Sequence, residues 1–406
     1  MRPRGIVVIV LSASLLLGLI VGFVFPRSSG DAEAVSAETT QSAPAEESTQ
    51  DATGPSEQGT PADVSQDEKT RLGYNQPNVT VPVKLAAGEK PPQFVVLSFD
   101  GACKDELYQH YRDLAKRNDG HFTFFLSGLC LLPDAEAKNY DPPKKPAGSS
   151  AIGFADPTLV QQRIENLRTI WNDGMEIGTH FLGHFCDAQG VGVWSAADWQ
   201  SEINQFNEFV FDWQKYNPDV TGVEPLPFDS SVIKGDRTPC LAGKRDQMYP
   251  VFVKEGFLYD ASNSGSLAWP KKMSNGLWNF PLQTVKIAGY NHSNLSMDYN
   301  FLYVQNKAKV DAPQATCDKI EQSTYQSLMD ALDAVYNGNR APLFIGNHFN
   351  DWVCGAYVKA LTRFVDDAHK KYPDVDFVSF MDLVRWLEAQ DKSTVKRLQR
   401  QGTQTY

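Results

Sequence analysis

Short apolar runs alternate with longer amphipathic segments along most of the chain, beginning near residue 94. Each short run is almost continuous in apolar residues, which is typical of a strand covered on both faces. The alternation predicts parallel strands joined by helices, and a closed or nearly closed α/β barrel fits it best. The predicted strands cover residues 94–99, 121–126, 175–179, 232–234, 257–259, 283–287, 343–346 and 377–380. The predicted helices cover residues 105–117, 156–173, 195–216, 247–255, 323–336, 357–371 and 381–390.

The amino terminus has a different pattern. Residues 6–25 are apolar and uncharged and follow Arg2 and Arg4, and a bilayer-spanning helix needs about 20 such residues. A cleaved signal peptide usually has a shorter apolar core, so an uncleaved signal anchor is favoured. Small residues around Ala32 and Ala34 leave cleavage open as the alternative. The basic residues stay cytoplasmic by the positive-inside rule, which predicts an extracytoplasmic protein, either membrane-anchored or secreted.

The chain is therefore expected to contain one folded domain behind a tether. Residues 1–27 form the signal anchor or signal peptide. Residues 28–78 are rich in Ala, Ser, Thr, Glu, Gln and Asp, and such a segment cannot bury enough apolar surface to fold, so we predict a disordered tether. The barrel covers residues 79–395, and residues 396–406 form a tail. We expect contact with a membrane only through the amino-terminal segment.

Charge and cysteine content narrow the class of protein. The formal net charge of −11 and the lack of a basic stripe with interleaved aromatic residues argue against nucleic acid as a partner. No glycine-rich phosphate-binding pattern occurs, so a nucleotide site has no support. Six cysteines follow the apolar run, and an even number in an exported chain suggests up to three disulfides.

Polar residues that suit catalysis stand where predicted strands end. His180 and His184 are four residues apart, and on one helical turn both imidazoles would point the same way and could share a cation such as zinc. Asp100 is a candidate general base or metal ligand, and His348 is a candidate general acid. Arg237 could orient Asp100 by a charged hydrogen bond. For each residue an ordinary structural hydrogen bond or ion pair is the alternative.

Several of these segments carry a family resemblance. The segments SFDG at 98–101, TFFLSG at 123–128 and GMEIGTH at 174–180, followed by His184, resemble polysaccharide deacetylases of the NodB-homology type, the family 4 carbohydrate esterases. Arg237 begins an Arg-x-Pro element similar to one in that family. His348 resembles the family's carboxyl-terminal histidine.

The resemblance covers roughly residues 94–387 and implies both a fold and a reaction. The fold is a distorted (β/α) barrel of about seven strands. The reaction is metal-dependent hydrolysis of a non-peptide C–N bond, removing N-acetyl groups from a polymer of amino sugars such as peptidoglycan or a chitin-like glycan.

The resemblance also implies a role for each candidate residue. A divalent ion, with zinc as the expected one, binds to His180 and His184. Asp100 takes a proton from a water molecule, His348 protonates the departing amine, and Arg237 holds Asp100 in position. Acetate and a free amine result.

Three departures from the family pattern leave a second function open. The family's first motif has two adjacent aspartates, and Gly101 stands where the second, a metal ligand, is expected. Asp100, Asp187 or Asp351 could take over its role. The tyrosine after Arg-x-Pro is Cys240 here, and Asp260 is only a weak substitute for the family's Asp-Trp element. The alternative function is a catalytically impaired, deacetylase-like protein that binds glycans.

The cysteines fit the same barrel. In such a barrel the loops that carry Cys103 and Cys354 are neighbours, as are those that carry Cys130 and Cys186. The resemblance therefore implies disulfides between the members of these two pairs, bracing the mouth of the site.

Overall fold

The computed structural model describes residues 65–406. The predicted signal anchor and most of the predicted tether lie outside these residues. Among the helices that are described, none combines the length and the apolar composition needed to cross a bilayer. The helices are α1 (Gln66–Arg71), α2 (Asp105–Arg117), α3 (Val160–Asn172), α4 (Ala196–Phe211), α5 (Arg245–Lys254), α6 (Asp298–Asn306), α7 (Gln314–Asn337), α8 (Trp352–Lys371), α9 (Phe380–Ala389) and α10 (Lys392–Gln399). The strands are β1 (Gln93–Gly101), β2 (Thr123–Leu126), β3 (Glu176–Thr179), β4 (Gly235–Asp236), β5 (Tyr259–Asp260), β6 (Ser264–Gly265), β7 (Lys271–Lys272), β8 (Trp278–Asn279), β9 (Leu282–Lys286), β10 (Ser293–Leu295), β11 (Leu343–His348) and β12 (Val375–Val378).

A mixed α/β architecture is built around β1. Strands β11, β1, β2, β3, β4, β5 and β8 lie side by side and parallel, and β7 is antiparallel at one end. Strand β12 pairs with the first half of β1, whereas β2 pairs with its second half. All residues of β1 except the last are buried. This explains the almost continuous apolar run, because helices or loops cover both faces of the strand.

The main sheet curls into a half-barrel, and strand pairing among residues 65–406 does not close it. A smaller sheet, in the order β10, β9, β6, lies beside β11. Ser296 joins the two sheets, since its carbonyl oxygen accepts from the Gly346 amide (2.8 Å) and its hydroxyl donates to the Phe344 carbonyl (2.6 Å). The expected α/β fold is confirmed, and the expected closed or nearly closed barrel is an open, curled sheet with a small sheet beside its edge.

The short strands are the elements that differ most from prediction. The apolar run at 232–234 predicted a strand, but Ser230–Val232 forms a 3-10 helix and the strand follows at Gly235–Asp236. Gly235 is required here, because a Cβ would lie 2.1 Å from the Tyr259 ring. A two-residue strand in which one residue has no side chain leaves almost no hydrophobic pattern in the sequence.

Both ends of the domain extend beyond the predicted boundaries of 79 and 395. Leu72 is buried, and the Gln76 side-chain amide donates to the Trp171 carbonyl (3.1 Å). At the other end Leu398 is buried on α10. Residues 65–78 and 396–406 therefore pack on the domain.

The six cysteines, all in the described part of the chain, form three disulfides. The expected pairings Cys103–Cys354 and Cys130–Cys186 are wrong. The Cys103–Cys130 bond joins the loops that follow β1 and β2, and the Cys186–Cys240 bond joins the loops that follow β3 and β4. The expected pairs would also join loops of neighbouring parallel strands, β1 with β11 and β2 with β3, so strand order alone does not select the pairing. The bonds are Cys103–Cys130, Cys186–Cys240 and Cys317–Cys354.

Candidate active site

The five residues singled out by the sequence lie together at the carboxyl edge of the main sheet. Asp100 near the end of β1 is in register with His348 at the end of β11. His180 follows β3 and Arg237 follows the neighbouring β4. Arg237 contacts both Asp100 and His180, and the His180 and His184 ring centres are 5.1 Å apart. Their catalytic and metal-binding roles stay predictions.

A buried ion pair joins Asp100 and Arg237. The Arg237 Nη1 atom lies 3.3 Å and 3.4 Å from the two carboxylate oxygens of Asp100, and Nη2 donates to the Ser98 hydroxyl at 3.2 Å. Arg237 is 0% exposed and Asp100 is 3% exposed. The guanidinium also lies over the Phe125 ring, 5.1 Å from its centre. These contacts fix the orientation of the carboxylate.

A second ion pair, which the sequence did not predict, joins His348 and Asp298. One Asp298 oxygen accepts from His348 Nδ1 and the other from the His348 backbone amide, both at 2.7 Å. An ionised carboxylate only accepts, so Nδ1 carries a proton and Nε2 is left for other partners. Burial lowers the pKa of His348, but the charge and hydrogen bond of Asp298 outweigh it and the pKa is raised. The pair therefore favours the imidazolium form, which can act as an acid.

His180 and His184 face each other as neutral imidazoles. Their ring centres are 5.1 Å apart, and His180 Nδ1 donates to the Arg237 carbonyl oxygen at 2.7 Å. Burial lowers the pKa of His180, and burial together with the nearby imidazoles of His180 and His348, which disfavour a further positive charge, lowers the pKa of His184 to about 3. A backbone hydrogen bond at one ring nitrogen leaves the lone pair of the other available, as is usual for metal-binding histidines.

The segment between these two histidines is not the helical turn that their spacing suggested. It contains no helix, and Phe181 and His184 have positive φ angles of 59° and 54°. A positive φ is uncommon for residues other than glycine and costs conformational energy. The Glu202 carboxylate holds the segment by accepting from the Leu182 amide at 3.1 Å and the Gly183 amide at 3.4 Å. Left-handed backbone therefore brings the imidazoles together.

The pair of histidines fits a shared cation. Two imidazoles bound to one tetrahedral zinc ion have ring centres about 5 Å apart, given zinc–nitrogen bonds of about 2 Å, and the observed separation is 5.1 Å. A third protein ligand is not gathered with them. Within residues 65–406, no set of three histidine, cysteine or acidic side chains that includes both His180 and His184 has its ligand atoms within 4.8 Å of one another.

The acidic residues expected to replace the missing ligand have other partners. Asp187 is paired with Lys145. Asp351 is paired with Lys104 at 2.8 Å. Neither residue belongs to a ligand cluster with the two histidines in the described part of the chain.

A compact His184, Cys186 and Cys240 cluster lies at the same place, with its nitrogen and sulfur atoms within 4.8 Å of one another. The two sulfurs are bonded to each other, so neither is a thiolate that could bind a metal. The disulfide connects the loop that carries His184 to the loop that carries Arg237. It acts as a brace between them.

Gly101 occupies the position where the family resemblance predicts a metal ligand. Its φ angle is +90°, and a Cβ added there would meet no other atom within 4 Å. There is space for a side chain at this position, but the backbone conformation favours glycine.

Asp260, the weak substitute for the Asp-Trp element, lies beside the site without contacting its histidines. Its carboxylate accepts from the Tyr249 hydroxyl and the Asn263 amide, both at 2.8 Å. It is in register with buried Asp236, whose pKa is raised by burial and by the charge of Asp260. These acids support the strand behind Arg237.

Comparisons with known proteins find similarity at the level of structure. No protein-family model matches the chain, and no curated protein sequence matches it. A Mycobacterium smegmatis protein described as a polysaccharide deacetylase aligns with 80% of this chain and 97% of its own, at 14% identity and a TM-score of 0.42. The peptidoglycan deacetylase PdaC from Bacillus subtilis aligns with 77% of this chain and 98% of its own, at 14% identity and a TM-score of 0.35.

A family 4 carbohydrate esterase pseudoenzyme from Bacillus anthracis aligns with 72% of this chain and 66% of its own, at 10% identity and a TM-score of 0.37. All three identities lie below 25% and all three TM-scores lie below 0.5. These similarities therefore assign no function to this chain.

Proposed function

We propose that this protein is an exported hydrolase that removes N-acetyl groups from an amino-sugar polymer such as peptidoglycan or a chitin-like glycan. The observation that carries the proposal is that two groups lie at one edge of the sheet. They are the His348 imidazolium, supported by Asp298, and the Asp100 carboxylate, held by Arg237. Two titratable groups in different environments can divide the roles of acid and base. The three disulfides agree with an oxidising compartment outside the cytoplasm.

Each side chain at the site has its own role in the proposed reaction. The Asp100 carboxylate accepts a proton from the attacking water, and Arg237 keeps that carboxylate in place. His348 Nε2 donates its proton to the nitrogen that leaves as an amine, while Asp298 stabilises the imidazolium. A divalent ion at His180 and His184, with zinc as the expected ion, would polarise the acetyl carbonyl and activate the water. Amide and water give acetate and amine.

The test is to measure acetate release from N-acetylated oligosaccharides and bound metal in the same preparations. We expect the wild type to bind a divalent ion and release acetate. His180→Ala and His184→Ala should each lower the metal affinity by at least about tenfold, because each removes a direct ligand.

His292→Ala is the matched control, because His292 is exposed and lies outside the site. It should bind metal and release acetate as the wild type does. The enzyme proposal fails if the wild type, supplied with several divalent ions and several glycans, releases no acetate.

The second candidate function is glycan binding without catalysis, and Gly101 favours it because two imidazoles form an incomplete ligand set. We expect Gly101→Asp to raise the metal affinity about tenfold or more by supplying a carboxylate. The substitution should also cost about 1–2 kcal/mol of stability, because φ is +90° at this position. Titration calorimetry, urea unfolding and acetate release measure these effects.

Gly101→Asn is the control, since it has a similar backbone cost and no negative charge. If the wild type releases no acetate and the Gly101→Asp variant does, the second candidate function is favoured. Unchanged metal affinity in Gly101→Asp would contradict the account of the missing ligand.

A further inference from the structure

An aromatic surface lies directly beside His348. Tyr299 is 47% exposed and Tyr303 is 64% exposed, and both belong to α6. Residues four apart on a helix lie on the same face. Trp352 at the start of α8 completes the group, with its ring centre 5.3 Å from the His348 ring and 6.0 Å from the Tyr299 ring. We call Tyr299, Tyr303 and Trp352 the aromatic platform.

Packing does not explain why the two tyrosines are exposed. Helix α6 buries its opposite face through Phe301 and Leu302. Among the large hydrophobic residues in the range 65–406, Tyr299 and Tyr303 are the only exposed aromatic ones, and the other exposed residues are aliphatic. An exposed aromatic surface beside a candidate catalytic group is typical of a binding surface.

We propose that the aromatic platform binds pyranose rings of the glycan on one side of the sugar that is deacetylated. This inference rests on the proposed function and adds a direction and a length to the substrate. The apolar face of a pyranose can lie flat on an aromatic ring, and the tyrosine hydroxyls can bond to sugar hydroxyls at the ring edge.

The spacing of the platform suits successive sugar units. The Tyr299 ring centre is 6.4 Å from the His348 ring centre, within reach of a sugar that adjoins the reacting one. Tyr303 lies one helical turn further on, a rise of about 5.4 Å. It would therefore meet a sugar beyond the one on Tyr299. The contribution of Tyr303 should appear only when the oligosaccharide is long enough to reach it.

The same helix fixes the platform relative to the acid. Asp298, the first residue of α6, binds both the backbone amide and the side chain of His348. The next residue is Tyr299, whose own amide donates to Asp298 at 2.7 Å. The orientation of His348 and the position of the platform are therefore set by one structural element.

The test compares Tyr299→Ala and Tyr303→Ala with the wild type on N-acetylated oligosaccharides of increasing length. Binding is measured by calorimetry, and kcat/KM is measured for acetate release. We expect each alanine variant to lose about tenfold in affinity for the longest oligosaccharide. The monosaccharide should be bound equally by all three proteins, and the loss in Tyr303→Ala should begin at a greater length than in Tyr299→Ala.

Two controls keep the result specific. Tyr303→Phe retains the ring and should keep most of the affinity. Tyr325→Ala on α7 removes a surface tyrosine that is hydrogen-bonded to Asp367, away from the platform, and should leave the length dependence unchanged. Circular dichroism and Tm confirm that each variant is folded.

The outcomes separate this inference from the proposed function. Length-dependent binding that needs the tyrosines, without acetate release, supports the platform and contradicts the hydrolase. Acetate release with equal affinities of the wild type and both alanine variants at every length overturns the platform alone. A wild type that binds no oligosaccharide of any length also overturns it.

Discussion

His348→Asn is expected to lower kcat for acetate release by about 10²–10⁴-fold, the usual contribution of a positioned general acid. The asparagine amide can still hydrogen-bond to Asp298, but it cannot donate a proton to the leaving nitrogen. KM should change little, because the role concerns the transition state. Steady-state kinetics on one defined oligosaccharide measure both quantities.

The pH dependence of kcat in the Asp298→Asn variant tests the ion pair between His348 and Asp298 in a second way. The pKa of His348 is raised in the wild type because the Asp298 carboxylate outweighs the effect of burial. The protonated acid is present below that pKa and is lost as the pH rises through it. Without the carboxylate, burial dominates and the pKa falls, so the alkaline loss of kcat should begin at a lower pH.

His121→Asn is the matched control, because His121 is a half-buried histidine paired with Asp382 at 3.1 Å, outside the site. It should lower stability without moving the pH profile. A profile in Asp298→Asn that is unchanged, or that moves to higher pH, would contradict the role of Asp298.

Arg237→Gln is expected to lower the free energy of unfolding by about 3–5 kcal/mol, because it leaves the Asp100 charge buried and unpaired. Arg237 is fully buried, and its guanidinium contacts both carboxylate oxygens of Asp100 and the hydroxyl of Ser98. Urea unfolding monitored by fluorescence measures the change.

Two further variants test whether the buried charge causes the loss of stability. Asp100→Asn combined with Arg237→Gln removes both charges and should recover part of the lost stability. Arg117→Gln breaks the Arg117–Asp366 pair, which is more exposed to solvent, and should cost at most about 1 kcal/mol. Equal losses in Arg117→Gln and Arg237→Gln would show that burial is not decisive.

The sequence predicted those helices and strands that are determined by the hydrophobic pattern of their own residues. Helix α2 has the predicted bounds of 105–117 because its apolar positions repeat at helical spacing. Strand β1 is recognisable because nearly all of it is buried. Asp100, His180 and His348 could be located because parallel strands deliver their final residues to one edge.

Features that depend on tertiary contacts were missed. Helix α6 is short, and two of its buried residues, Asp298 and Gln305, are polar, so its sequence did not indicate that Asp298 would reach His348. The spacing of His180 and His184 suggested a helical turn, but contacts with Glu202 stabilise left-handed backbone there instead. The order of the strands left the cysteine pairings open, because the expected and the observed pairs both join loops of neighbouring strands.

The Cys186–Cys240 disulfide has a practical consequence for every assay of this protein. It ties the loop with His184 to the loop with Arg237, so a reducing agent added during purification would release two parts of the site from each other. Protein produced in a reducing cytoplasm could be soluble and still lack the native arrangement. Thiol titration of each preparation should therefore precede any conclusion that the protein is inactive.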